Sequence, residues 1–331
     1  EEELKDDASL ASFGNSDILF NGNVESWKRL ANSLRLRLAI RVRYADPTLA
    51  QQHISEVINA PLIEDNMQNA QLNTLGENTA DLNNRNPLYN RMIELSGDIV
   101  TTSLTVTENL KWLNDPRLTV FVSPAPDGVS GYHGRPLAIF GDEKLPYSTD
   151  QTAKLAMSFQ AAEYSIIVFN AAETFFLKAE AGLSGIVSVD AQEMFAKGIQ
   201  ASLEQYHIES SYITDYLNSS AGTLSGTEEQ KLEQIIVQKW LAIYFESAEA
   251  WSEFRRTGYP RIWTGSDKGN TDGNIPRRLT YPQEEYSKNE DNVRAAAARI
   301  NGDKLLSRIW WDKKEGLPFL HPRQGMFPPE Q

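Results

Sequence analysis

The sequence predicts a mostly α protein in which paired helices stack into a superhelical scaffold, joined to an irregular, loop-rich lobe with few short strands. Three observations predict it. Apolar residues recur at helical spacing in paired segments at about 24–60, 162–207 and 227–257. Proline and glycine interrupt two long stretches, about 61–160 and 258–331, so regular elements there are short. The composition is globular, with 40% AVILMFWYC and 23% charged residues. The 331 residues are read as one unit.

In the first pair, Trp27, Ala31, Leu34, Leu38 and Val42 share one helical face between Trp27 and Tyr44. Leu36 and Ile40 form a second apolar strip, so this helix is expected to be sandwiched between neighbours. Pro47 after Asp46 ends it, and Leu49 to Ile58 reads as the returning partner.

The second pair is a helix from Glu163 to Leu183, broken at Ser184-Gly185, and another from Asp190 to Tyr206. Asp190 with Glu193 has capping-box spacing. Phe175, Ala179, Gly182, Ala191, Phe195 and Gly198 match the small-and-large pattern of a tetratricopeptide (TPR) helix pair, in which small residues allow close crossing beside aromatic knobs. Gly182 stands where an aromatic is usual, and an ordinary helical hairpin fits the same pattern.

The third pair follows a polar spacer, Asn218 to Gly226. Thr227 and Gln230 form a capping box, and Leu232, Ile236, Trp240 and Ile243 line one face. Its partner runs from about Ser247 to Arg256 and stops at Thr257-Gly258-Tyr259-Pro260. Between the pairs lie a strand-like Leu118 to Val122 and a glycine-rich Asp127 to Gly141. The tail holds one clear helix, Asp291 to Ile300, ended by Asn301-Gly302. Long ordered loops commonly carry function, so a binding surface is expected in the lobe.

Several classes of function are disfavoured. Lys+Arg number 32 against 45 Asp+Glu, a net charge of −13, which repels phosphate backbones and anionic lipid. The basic run Lys28, Arg29, Arg35, Arg37, Arg41 and Arg43 points in several directions and is expected to pair with acidic neighbours rather than with nucleic acid. There is no cysteine, which excludes disulfides, thiolate metal sites and cysteine nucleophiles. No apolar stretch approaches the ~18 residues of a membrane span. The chain opens Glu1-Glu2-Glu3-Leu4 with no visible targeting segment.

The sequence carries no G-x-S-x-G, no H-E-x-x-H, no G-x-x-x-x-G-K and no G-x-G-x-x-G after a strand. His53, His133, His207 and His321 are scattered, so no metal site is expected. Glu246, Glu249 and Glu253 project together from one helix, as paired-carboxylate sugar chemistry would need, but Arg255 and Arg256 beside them favour an ion-paired face. The loop Asp267 to Asn274 lacks the twelfth-position Glu of a calcium loop; Leu279 stands there, counting from Lys268. No enzyme activity and no cofactor are expected.

Several longer stretches carry a family resemblance. Asn21-Gly22-Asn23-Val24-Glu25-Ser26-Trp27-Lys28 and Ala31-Asn32-Ser33-Leu34-Arg35-Leu36-Arg37-Leu38-Ala39 are followed by Asn86-Pro87-Leu88-Tyr89 and Leu113-Asn114-Asp115-Pro116-Arg117-Leu118. Then come Gln238-Lys239-Trp240, the run from Glu249 to Pro260, Arg278-Leu279-Thr280-Tyr281-Pro282 and Trp310-Trp311-Asp312. In this order and over nearly the whole chain, they resemble the SusD/RagB family of outer-membrane nutrient-binding proteins. The resemblance implies a SusD-like fold of TPR-like helix pairs with an irregular ligand-binding lobe. It implies a non-enzymatic, lipid-anchored protein on the extracellular face of the outer membrane of Bacteroidetes-type bacteria. Such a protein captures oligosaccharides, or oligopeptides in the RagB branch, and delivers them to a SusC-like TonB-dependent barrel. The family pattern is entered after its first helix pair, so a precursor with a signal peptide and a lipidated cysteine upstream of Glu1 is expected.

Seven Trp and twelve Tyr supply flat apolar faces on which sugar rings can stack. Trp112, Tyr132, Phe140, Tyr147, Tyr259 and Trp263 fall in loops, with Asn86, His133 and Arg135 as hydrogen-bonding neighbours. The same residue types also pack cores, and loop placement does not choose between the roles. Trp251, Trp310 and Trp311 lie in scaffold motifs and are expected in the core. The site is expected in Asp127 to Tyr147, helped by Trp112, because Gly128, Gly131, Gly134 and Gly141 let the backbone approach a ligand between aromatic and polar side chains.

Overall fold

The computed structural model describes residues 14–76, 82–94 and 100–323; the opening Glu1 to Leu4 lies outside them. Helix α1 (Val24–Val42) starts where the Asn23 side chain accepts the Ser26 amide at 2.9 Å. Asp46 caps α2 (Pro47–Val57) in the same way, accepting the Leu49 amide at 3.0 Å. The two helices pack together. Leu36 and Ile40 are fully buried, whereas Ala31 and Leu38 on the other strip face outward. Of the two apolar strips read in the sequence, the narrower one is therefore the core face, because α1 turns it toward Ile54 of α2 and the helices behind.

The segment after α2 forms β1 (Ala70–Asn73). The proline-broken region then holds more helix than its composition suggests: α3 (Pro87–Glu94), α4 (Leu104–Trp112) and α5 (Leu118–Phe121). The strand-like Leu118 to Val122 is thus corrected to a helical turn, with Val122 alone passing into β2 (Val122–Ser123). Asp115 decides this. Its carboxylate accepts the Arg117 amide at 2.9 Å and its carbonyl accepts the Leu118 amide at 3.1 Å, which fixes a helical start despite the β-branched residues. β2 pairs antiparallel with β3 (Lys154–Leu155), placing Val122 opposite Leu155.

A second correction concerns the helix read from Glu163. Residues Ser165–Phe169 form β4, antiparallel to β1 with Leu72 opposite Ile166. Ile166, Ile167 and Val168 are stiff at χ1 and suit a strand. Asn170 then accepts the Glu173 amide at 2.8 Å and starts α6 (Ala171–Leu183).

Helix α6 packs against α7 (Ala191–Gln205) and α1. After α7 comes α8 (Ser210–Leu217), a helix the sequence pattern did not mark. The Thr227–Gln230 capping box opens α9 (Glu228–Ala242), which also lies on α6. α10 (Ser247–Thr257) ends at Gly258 with φ +85°, the left-handed stop expected there. The tail carries α11 (Gln283–Lys288) and α12 (Glu290–Arg299).

Two cores result. One joins α1, α2, α6 and α7 through Leu36, Ile54, Phe176, Phe195 and Ile199. The other joins α4, α5 and α9 through Leu110, Phe121, Phe159 and Leu241. Close crossing of α6 and α7 depends on Gly198, where a Cβ would lie 2.7 Å from the Phe176 ring. Gly198→Ala is therefore expected to destabilise by about 1–3 kcal/mol, although alanine is the better helix former by about 1 kcal/mol. Chemical denaturation checks this, and an unchanged midpoint would mean that the ring moves aside.

Charges, not only apolar groups, fill the seam between α1, α6, α9 and α10. Arg37 pairs with Glu173, Arg41 with Glu249 at 2.5 Å and Glu253 at 3.3 Å, and Arg43 with Glu180 at 2.8 Å. Lys239 reaches Glu173, Glu249 and Glu253 at 3.1–3.3 Å. Arg256 holds Glu180 through both oxygens, at 2.6 and 2.7 Å, and Glu253 at 2.7 Å. Most of the basic run thus does pair with carboxylates, and on the Glu246–Glu253 face Glu249 and Glu253 are ion-paired. Trp311 belongs to the same layer, with Arg255 stacked 4.7 Å over its ring, and Trp251 donates to the Pro276 carbonyl at 2.7 Å. Trp310 departs from the expected core position: it is 62% exposed, because Asp312 is the residue of that motif that turns inward to Arg277.

Candidate functional site

The turn between α4 and α5 builds the floor of the site. Arg117 is fully buried and donates to both oxygens of Asp115, at 2.9 and 2.6 Å. It also donates to Ser202 Oγ of α7 at 2.8 Å and to Gln238 Oε1 of α9 at 2.6 Å. Tyr216 of α8 donates to Asp115 at 2.9 Å and accepts from Gln238 at 2.8 Å. Burial alone would raise the Asp115 carboxyl, but the Arg117 guanidinium and these hydrogen bonds hold it below the usual range. One satisfied polar hub thus locks α4, α7, α8 and α9 in register.

Above this hub lies a cleft of about 810 Å³. Trp112, the last residue of α4, forms one wall and is 83% exposed. Tyr212 of α8 lines the cleft as well and is 59% exposed. Asp215 follows Tyr212 by three residues and so shares its face of α8. Gln230, Glu233 and Gln234 of α9 complete the polar lining. Glu233 is held by Arg261 through two hydrogen bonds, at 2.7 and 2.9 Å. The carbonyl ends of Gln230 and Gln234 accept from Thr227 and Ser225 amides, which fixes both side chains against the loop before α9. An open cleft with two bare aromatic faces and several hydrogen-bonding groups can hold a flat, hydroxyl-rich ring.

The residues singled out in the sequence do not all meet here. Of them, Trp112 lines the cleft. Asn86 is buried and serves the backbone: it accepts the Leu88 amide at 3.0 Å and donates to Phe159 and Ala161 carbonyls at 2.8 and 2.9 Å. Tyr147 is buried under His133, ring stacked on ring at 4.7 Å. Burial pushes the Tyr147 hydroxyl up to about 12 and, with the nearby Lys111 charge, lowers His133 below its ordinary value. Trp263 is buried against His321, the rings stacked at 4.9 Å. Tyr259 is buried too, its hydroxyl donating to Glu229 at 2.7 Å. These side chains pack the interior and turn no open face to a ligand.

Tyr132 is half-buried against the α4–α9 core, and Arg135 fixes the segment through its backbone, bonded to Thr102 and Leu104 at 2.8 Å. Gly134 explains the close fit, because a Cβ there would lie 2.7 Å from the Leu104 Cα. The glycine that was read as room for a ligand is room for α4. Of the aromatic side chains in this segment Phe140 is the widely exposed one, at 67%, and it stands apart from the cleft. Its amide is bonded to Glu143, which reaches the Ser266 amide at 3.1 Å on the rim of a second cleft of about 590 Å³.

Sequence reasoning missed Tyr212, Asp215 and the α9 glutamines. Their signal was the spacing of Tyr212, Asp215 and Tyr216 on eight residues of helix, too short to stand out. Among the described residues no group of acidic or histidine side chains is arranged to hold a metal. No helix among them is long and apolar enough to cross a membrane.

Comparison with known proteins adds to this geometry. The family profile SusD-like_2, described as starch-binding associating with outer membrane, matches residues 2–282. A SusD homolog from Bacteroides vulgatus superposes with a TM-score of 0.76 at 28% identity, covering 89% of this chain and 64% of that one. A SusD homolog from Bacteroides uniformis gives 0.78 at 28% identity, covering 92% and 68%. A chitin-binding SusD homolog from Flavobacterium johnsoniae gives 0.78 at 27% identity, covering 93% and 68%. The chain therefore spans about two thirds of the length of these solved structures. No curated protein matches it.

Proposed function

The chain belongs to the SusD-like family, and from that premise we propose that it is a non-enzymatic receptor that captures oligosaccharides at the bacterial cell surface. We place it on the extracellular face of the outer membrane, held there by a lipid anchor. Its ligand passes to a SusC-like TonB-dependent barrel. The observation that carries the glycan reading is the cleft between α4, α8 and α9, where Trp112 and Tyr212 expose their rings beside Asp215 and Gln230. Aromatic faces bind the apolar side of a sugar, and the polar groups around them bind its hydroxyls. The chitin-binding relative makes β-linked N-acetylglucosamine oligomers the first ligands to try, followed by starch oligomers.

Trp112→Ala tests the proposal. Stacking one ring contributes about 1–2 kcal/mol, by analogy with aromatic pairs, so affinity for the bound glycan is expected to fall about tenfold or more. Because Trp112 is exposed, the melting temperature should stay within about 1 °C. Isothermal titration and a thermal melt measure the two quantities. Full affinity in the variant would move the site out of this cleft. Binding of peptides and of no glycan would transfer the reading to oligopeptide uptake.

A further inference from the structure

The charge inventory of this cleft points to the class of glycan it admits. Among the described residues that line it, the ionisable acids are Asp215 and Glu233, and none is Lys, Arg or His. The two carboxylates are not equivalent. Glu233 shares its charge with Arg261 through a two-fold hydrogen bond at 2.7 and 2.9 Å. Asp215 stands exposed on α8, three residues from Tyr212.

The neutral groups of the lining are also uneven. Asn109 has one of its two amide N–H groups committed to the Thr105 carbonyl at 2.7 Å, and its oxygen can accept from a ligand. Gln230 has its oxygen committed to the Thr227 amide at 2.8 Å, which leaves N–H. A hydroxyl both donates and accepts, so it can satisfy all three groups. A ring carboxylate only accepts, and it would bring a second negative charge against Asp215 with no cation in the lining to offset it.

Resting on the glycan reading above, we infer that Asp215 selects uncharged oligosaccharides and rejects uronates, and that it does so as an acceptor for sugar hydroxyls beside the Trp112 and Tyr212 rings. The overall charge of −13 acts in the same direction at long range. One carboxylate pair a few ångströms apart in a partly wet cleft is expected to cost an anionic ring roughly tenfold in affinity.

The experiment compares chito-oligosaccharide and malto-oligosaccharide with oligogalacturonate of equal length, by isothermal titration at low salt, in three proteins: wild type, Asp215→Asn and Trp112→Ala. Asp215 lies on the surface, so its replacement should leave the melt unchanged. The expected result is binding of a neutral oligomer, at least tenfold weaker binding of oligogalacturonate, and a discrimination that Asp215→Asn reduces several-fold. Raising the salt should weaken the discrimination in the wild type and do so less in the variant, which keeps only the long-range repulsion. Oligogalacturonate bound as tightly as the neutral oligomers would overturn the selectivity. If Trp112→Ala abolished that binding, the cleft would still be the site and only the assignment to Asp215 would fall. Binding of any oligomer that Trp112→Ala leaves intact would overturn the site itself. Binding of none of the three would overturn both.

Discussion

Arg117→Ala is expected to cost about 3–5 kcal/mol, the largest loss among the substitutions considered. The guanidinium is fully buried and serves four acceptor atoms at once, two on Asp115 and one each on Ser202 and Gln238. Its removal leaves the Asp115 carboxylate buried with the Tyr216 hydroxyl and the backbone amide of residue 117 to share its charge. A double replacement, Asp115→Asn with Arg117→Met, should be less harmful than Arg117→Ala alone, because it removes the uncompensated charge. Urea denaturation at neutral pH measures both. A single variant within about 1 kcal/mol of wild type would show that the hub is not what locks α4, α7, α8 and α9 together.

Glu246→Gln is expected to act in the opposite sense and to stabilise the protein at neutral and alkaline pH. Burial, together with the neighbouring Glu173 and Glu249 charges, pushes the Glu246 carboxyl up to about 9, although Arg37 lies 3.3 Å away. Its Oε1 is buried and has no hydrogen-bond partner. The folded protein therefore keeps a proton that the unfolded chain releases above about pH 4.5. Stability falls as pH rises between those two values and stops falling above the higher one. Glutamine resembles the protonated acid and does not titrate. The variant should match the wild type near pH 4.5 and gain about 2–4 kcal/mol by pH 7.5, at about 1.4 kcal/mol per pH unit less what its weaker bond to Arg37 forgoes. The other carboxylates of the seam are common to both proteins and drop out of the comparison. Denaturation at pH 5 and pH 8 decides it: a gap that does not widen would mean that Glu246 is ionised in the fold.

Both substitutions fall where local sequence is least informative. Arg117 sits in a motif, Asn-Asp-Pro-Arg, that could be matched but not explained, since its partners come from α7, α8 and α9, between 85 and 121 residues away. The Glu246, Glu249 and Glu253 face could be read as ion-paired from Arg255 and Arg256 beside it. That reading holds for Glu249 and Glu253, but their cations include Arg41, more than 200 residues distant.

Within the helices the sequence was explicit. Asp190 and Thr227 mark starts, and Gly258 marks a stop, because capping is settled by groups within a few residues of one another. The small residues of the α6–α7 crossing were legible for the same reason. Short elements were not. The residues of α4 and α8 form helices because they are packed, and isolated stretches of eight or nine residues would not. Ser165–Phe169 is a strand because β1 lies beside it, at a distance in sequence that no local pattern reveals.

The candidate site divides along the same line. Sequence by itself determined the family, the helical scaffold, the absence of cysteine chemistry and the abundance of aromatic rings. It also singled out Trp112 as a candidate, whose place just before the Asn-Asp-Pro-Arg turn set it apart. Which rings face water was decided only by the tertiary structure. Tyr147, Tyr259 and Trp263 went inside, while Trp112, Tyr212 and Phe140 stayed out. An aromatic side chain gains from burial against a core and from stacking on a ligand by the same removal of apolar surface from water. Its identity therefore cannot distinguish the two, and only the walls that the folded chain builds around it can.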